Sequence, residues 1–134
     1  MSQNTEDAVY VSSKERAKDI KDIIKEINKN KLTNVTISGG DGLTIQYNST
    51  LELLKQLKLK TNKNIWLYTG YTWEELINSY KRECLKYIDV LVDGKFEISK
   101  KDISLRFRGS SNQRIINVQE SLKQNKVIEY KEYY

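Results

Sequence analysis

Apolar residues along the chain follow two periods, one typical of helices and one typical of short buried strands. Isoleucines recur at helical spacing over residues 14–29, and leucines do so from Leu51 onward. Runs of strand length stand at residues 34–38, 65–69, 88–92 and 115–118. Thr72 and Glu75 form a capping box that opens a third helix, expected to reach Cys84. This alternation predicts an α/β fold, a mostly parallel sheet with right-handed crossover helices.

The length of 134 residues predicts one domain with a modest core, residues 1–134. Residues 1–11 are polar with a weak pattern, which indicates an irregular start. The α/β core is expected over residues 12–118, with a polar loop at residues 95–105. Residues 119–134 are expected to form a tail or an edge strand, because residues 127–134 alternate weakly.

Composition excludes several kinds of chemistry. The chain has no histidine, so histidine-based acid–base catalysis, His-containing triads and His-ligated metals are excluded. The helical spacing of the single cysteine, Cys84, indicates a core residue rather than a nucleophile. The net charge of +5 comes mostly from lysines mixed with acidic residues, so a nucleic acid is not an expected partner. No apolar run reaches membrane-spanning length, and a cytoplasmic location is expected.

Three of the predicted strands end in glycine or in aspartate and glycine, at Gly39-Gly40-Asp41, Gly70 and Asp93-Gly94. In a parallel sheet these strand ends share one edge, where α/β proteins bind ligands. Asp41 could accept hydrogen bonds from an ammonium group or from ribose hydroxyls. Two interpretations of the first turn stay open: a ligand cradle, or a tight strand-to-helix connection with Asp41 in solvent.

Four motifs occur in a fixed order along the chain: TISGGD at residues 36–41, WLYTGY at 66–71, DVLVDGKF at 89–96 and RGSSNQR at 108–114. Together they resemble the activating proteins of anaerobic ribonucleoside-triphosphate reductase, which are small radical S-adenosylmethionine (SAM) enzymes. The resemblance spans residues 33–118. It implies a truncated partial β/α barrel of radical SAM type, whose strand ends hold SAM.

The resemblance also implies site residues. In this family the Gly-Gly-Asp turn contacts the amino group of SAM, a role that falls here to Ser38, Gly39, Gly40 and Asp41. Neighbouring strand ends are expected to line the pocket with Tyr68, Thr69, Gly70 and Asp93. Four residues of the last motif either meet the surface of the reductase or belong to a loop that folds over the sheet edge: Arg108, Ser110, Asn112 and Arg114.

Activases of this family carry a 4Fe–4S cluster on three closely spaced cysteines near the N-terminus. The cluster cleaves SAM reductively, and the resulting radical generates the glycyl radical of the reductase. This chain lacks the cysteine motif, and Gly42 stands where the family usually has proline.

We therefore expect a truncated, split or degenerate activating-protein-like domain that is inactive alone. The alternative is a non-catalytic protein that docks on the reductase or on an intact activase. A sheet without its first strand exposes an edge, which predicts a homo- or hetero-oligomer.

Overall fold

A computed structural model of the chain describes residues 8–11, 19–37, 43–44 and 46–134. Five strands lie in these ranges: β1 (Ala8–Val11), β2 (Asn34–Ile37), β3 (Asn64–Tyr68), β4 (Val90–Asp93) and β5 (Arg114–Asn117). They form one sheet in the order β1-β2-β3-β4-β5. The first four are parallel, and β5 is antiparallel to β4. The predicted α/β class is confirmed, while closure into a partial barrel stays a prediction.

Within the same ranges the structure has four α-helices: α1 (Ile20–Lys29), α2 (Tyr47–Lys60), α3 (Trp73–Ile77) and α4 (Val118–Gln124). The first helix begins later than the sequence predicts, because the carboxylate of Asp19 caps it by accepting from the Lys21 amide at 2.8 Å. None of the described helices is long and apolar enough to cross a membrane.

The capping box that opens α3 is confirmed. The Thr72 side chain accepts from the Glu75 amide, and the Glu75 carboxylate accepts from the Thr72 amide. The prediction that this helix continues to Cys84 is wrong, since it ends at Ile77. Asn78 and Ser79 donate side-chain hydrogen bonds to nearby carbonyls, which end the helix, and a 3₁₀ helix (Tyr80–Tyr87) follows.

The two faces of the sheet are covered differently. Helices α1 and α2 pack on one face over alternate strand residues, Val35, Ile37, Ile65, Leu67, Leu91 and Ile116. On the other face Trp66, Val90, Val92 and Ile115 are covered by Phe107, Tyr130 and Tyr133. The central residues of β3 are therefore buried on both faces of the sheet. Cys84 is fully buried in the helical layer, and burial raises the pKa of its thiol to about 12.

Both ends of the chain differ from expectation. Residues 8–11 form β1 instead of an irregular start, because their Ala-Val-Tyr-Val sequence suits a strand and pairs with the free edge of β2. The C-terminal segment starts with α4, a helix that the sequence did not predict, capped by the Asn117 side chain. The expected edge strand is reduced to an isolated antiparallel bridge between Glu129 and Ile116 of β5. A short 3₁₀ helix (Lys131–Tyr133) ends the segment. The outer edge of β1 has no strand partner among the described residues, and the expected oligomer stays a prediction.

Candidate functional site

An open cavity of about 690 Å³ lies at the carboxyl edge of the sheet. Gly70 borders it after β3, Asp93 and Gly94 border it at the end of β4, and Arg114 at the start of β5. The rest of the wall consists of Thr72, Glu74, Glu75, Lys95, Glu97 and Asn112. Cavities of this size and position commonly bind small molecules in α/β proteins.

Arg114 bridges two carboxylates across the cavity wall. It lies opposite Asp93 in the β4–β5 ladder, and its Nε and Nη2 donate to Asp93 Oδ1 and Oδ2 at 3.1 and 2.5 Å. Nη2 also donates to Glu74 Oε1 at 2.7 Å. Asp93 is only 1% exposed and also accepts from the Trp73 amide at 2.7 Å. The buried carboxylate thus fixes both the arginine and the start of α3.

Pairing between Arg114 and the carboxylates changes the pKa of Arg114 and the pKa of Glu74. Hydrogen bonding to Asp93 raises the pKa of Arg114, with burial opposing the shift and Glu74 adding to it. Its hydrogen bond to Arg114 lowers the pKa of Glu74 from the ordinary value of 4.5. Arg114 is therefore a permanent cation between Asp93 and an ionised Glu74 at neutral pH.

The contribution of Glu74 to stability should depend on pH. Because its pKa is lower in the folded chain, the contribution is present above about pH 4.5 and is lost as the pH falls through the folded value. The Glu74 side chain is 59% exposed, so we expect less than about 1 kcal/mol. Urea denaturation of wild type and Glu74→Gln between pH 3 and 7 measures it. The difference in free energy of unfolding between wild type and Glu74→Gln should become smaller at low pH. A constant difference would contradict the lowered pKa of Glu74.

The Gln113 side chain connects the loop between β4 and β5 to Gly94 in the cavity wall. Its Nε2 donates to the Gly94 carbonyl at 3.0 Å, and its Oε1 accepts from the Gly109 and Ser110 amides at 2.9 and 3.1 Å. The Ser110 hydroxyl is buried and accepts from the Glu97 amide. These hydrogen bonds within the chain give the loop a defined shape.

Arg108 joins this loop to the C-terminal segment. Its Nη1 donates to the Gln113 carbonyl at 3.1 Å, and its guanidinium lies 4.2 Å from the centre of the Tyr134 ring. The side chain is buried. Burial of Arg108 and Ser110 favours the second alternative left open by the sequence, a loop that folds over the sheet edge.

Asn112 lies in the cavity wall and carries a buried acceptor. Its Nδ2 donates to the Lys95 carbonyl at 2.8 Å. Its Oδ1 is buried and has no hydrogen-bond partner in the described part of the chain. A buried acceptor without a partner is costly, and a donor on a bound ligand would satisfy it.

The structure brings together four of the residues expected at a site, Gly70, Asp93, Asn112 and Arg114. Tyr68 instead packs beside the aromatic residues on the other face, and Thr69 is buried with its amide donating to the Val92 carbonyl. Ser38, Gly39, Gly40 and Asp41 lie outside the described residues. The sequence reasoning missed the carboxylates Glu74, Glu75 and Glu97. The signal for Glu74 and Glu75 was the capping box that follows Gly70, since it places a helix start at the same edge. Glu97 follows β4 and had no such signal.

Comparison with known proteins gives a family and a set of relatives. A sequence profile described as "4Fe-4S single cluster domain" matches residues 2–116. Three relatives are named anaerobic ribonucleoside-triphosphate reductase-activating protein. The protein of Pasteurella multocida is 44% identical over 88 residues, which cover 63% of this chain and 56% of the relative.

The protein of Escherichia coli K12 is 40% identical over 95 residues, covering 68% of this chain and 61% of the relative. The protein of enterobacteria phage T4 is 36% identical over 98 residues, which cover 72% of this chain and 60% of the relative. The chain thus spans little more than half the length of these relatives. No solved structure matches it.

Proposed function

Because the chain belongs to the family of 4Fe–4S single cluster domains, we propose that it is an activating-protein-like domain for an anaerobic ribonucleotide reductase. The relatives confirm the resemblance carried by the four motifs. In this proposal the chain binds SAM at the carboxyl edge of its sheet and contacts the reductase. The observation that carries the proposal is the polar cavity at the ends of β3 and β4.

The charges of the cavity wall suit SAM. Four carboxylates line the cavity, those of Glu74, Glu75, Asp93 and Glu97, against the two cations Lys95 and Arg114 of the wall, and Glu97 also pairs with Lys100. SAM carries a sulfonium and an ammonium cation, which a wall with excess negative charge attracts, and a carboxylate that a lysine such as Lys95 can pair with. The free acceptor of Asn112 suits an ammonium or a ribose hydroxyl.

The family also implies a 4Fe–4S cluster, and the residues of this chain do not fit one. Such clusters are held by several cysteine thiolates. The whole sequence has one cysteine, and Cys84 is buried in the core with a raised thiol pKa. The described residues contain no group of three candidate metal ligands. We therefore assign no redox step to this chain and propose that the cluster thiolates come from residues outside it, so that it is inactive alone.

Calorimetric titration of the full chain with SAM tests the proposal. We expect binding, and Asn112→Ala should weaken it about tenfold or more, because a hydrogen bond to a charged group is lost. Asn28→Ala is the matched control. Asn28 Nδ2 donates to the Lys60 carbonyl at 3.1 Å, so a comparable bond is removed far from the cavity. No heat with wild type, or equal affinity in both variants, would overturn the SAM site.

The second candidate function is a non-catalytic protein that docks on the reductase or on an intact activase. The lone, buried Cys84 favours it, since a docking surface needs no redox centre. Capture of the purified reductase by the chain, together with no heat on SAM titration, would favour this function over the first.

A further inference from the structure

The loop from Lys95 to Arg106 exposes large apolar side chains beside the cavity. Ile98 is 75% exposed and Ile103 is 87% exposed, and the Phe96 ring is half exposed. These three residues thus expose apolar surface within eight positions of one loop. Exposed apolar patches on an ordered surface commonly mark interaction sites.

The loop is ordered by its own hydrogen bonds. Lys101 forms an isolated antiparallel bridge with Ser110, and the Ser111 amide donates to the Lys100 carbonyl at 2.9 Å. The Glu97 amide donates to the buried hydroxyl of Ser110. A preformed loop loses little conformational entropy when it binds a partner.

The same loop is positively charged. Four exposed cations stand on it, Lys95, Lys100, Lys101 and Arg106, against the carboxylates of Glu97 and Asp102. Glu97 already pairs with Lys100 at 3.4 Å, and Asp102 accepts from the Ser104 hydroxyl at 2.6 Å. The net positive potential is therefore complementary to an acidic surface.

We propose that residues 95–106, the docking loop, bind an acidic surface with apolar side chains on the reductase. This inference rests on the proposed function. Lys95 and Glu97 belong both to the docking loop and to the cavity wall, so a partner seated on Ile98 and Ile103 would lie at the cavity mouth. The docking loop thus places the bound ligand next to the reductase.

Measured affinity of the full chain for the purified reductase tests the docking loop. The double variant Ile98→Ser/Ile103→Ser should bind about tenfold more weakly, because a central apolar anchor is lost. Leu59→Ser is the control for exposure: Leu59 is 78% exposed near the end of α2, at the opposite edge of the sheet. Its affinity should match wild type.

Two charge-reversal variants test the electrostatic contribution of the docking loop to binding. Lys101→Glu should slow association and weaken the dependence of binding on salt. Lys126→Glu makes the same change of net charge on an exposed residue after α4 and should have little effect.

The outcomes separate the two proposals. Wild-type binding that the double variant leaves unchanged would overturn the docking loop and leave the proposed function standing. Equal weakening by Leu59→Ser would also overturn the docking loop. If the wild-type chain does not bind the reductase, the reductase is not its partner, and both the proposed function and the docking loop are wrong on this point. If the double variant abolishes only self-association, the docking loop is an interface between copies of this chain and the inference is wrong.

Discussion

Replacing Asp93 by alanine is expected to lower the free energy of unfolding by about 3–5 kcal/mol, the usual cost of removing one partner of a buried ion pair. Its carboxylate is buried, pairs with Arg114 through two hydrogen bonds and accepts from the Trp73 amide. Alanine would leave the buried Trp73 amide without its acceptor and would leave the partly buried Arg114 guanidinium with only the exposed Glu74 as its partner. Urea denaturation monitored by circular dichroism measures the loss.

Two further variants separate the roles of Asp93. Asp93→Asn keeps an oxygen for the Trp73 amide but loses the charge, so we expect an intermediate loss. Glu74→Ala removes the exposed partner of the same arginine and should cost less than about 1 kcal/mol. A loss at Asp93 no larger than that at Glu74 would show that the buried pair does not stabilise the fold.

Local patterns explain which parts of the fold the sequence predicts. The capping box at Thr72 and the apolar run of β3 involve neighbours in the chain, and both were predicted correctly. The early end of α3 also has a local cause, since Asn78 and Ser79 compete for backbone carbonyls. Helix α4 was missed because the apolar run before it dominates the pattern, although Asn117 followed three residues later by Glu120 resembles a cap.

Single residues of the candidate site could be predicted from the sequence, but the contacts between them could not. Asp93 and Arg114 were both expected at a site, on separate grounds. Their pairing depends on the antiparallel register of β5 against β4, which brings together residues 21 positions apart. A register of this kind is set by packing in the whole sheet and leaves no local signal. The buried roles of Arg108 and Ser110 depend on the same tertiary context.

The second face of the sheet depends in the same way on contacts distant in sequence, with Trp66 at its centre. The centre of the Trp66 ring lies 4.9 Å from that of Phe107, which belongs to the β4–β5 loop. It lies 5.4 Å from the centre of the Tyr133 ring in the C-terminal segment. Replacing Trp66 by alanine should therefore cost about 3–5 kcal/mol, the usual loss for a buried aromatic side chain. Denaturation in urea gives this value.

The position of Trp66 predicts a local effect besides the global loss. The C-terminal segment is held by the Tyr130 amide, which donates to the Ile115 carbonyl at 2.8 Å, and by the rings packed on Trp66. Without the indole, hydrogen exchange at Tyr130 should accelerate more than at residues of β2 on the helical face. Tyr80→Ala, which removes a largely exposed ring, should leave both measurements near wild type. Uniform acceleration across the sheet would show that Trp66 stabilises the fold only globally and does not fasten the C-terminal segment.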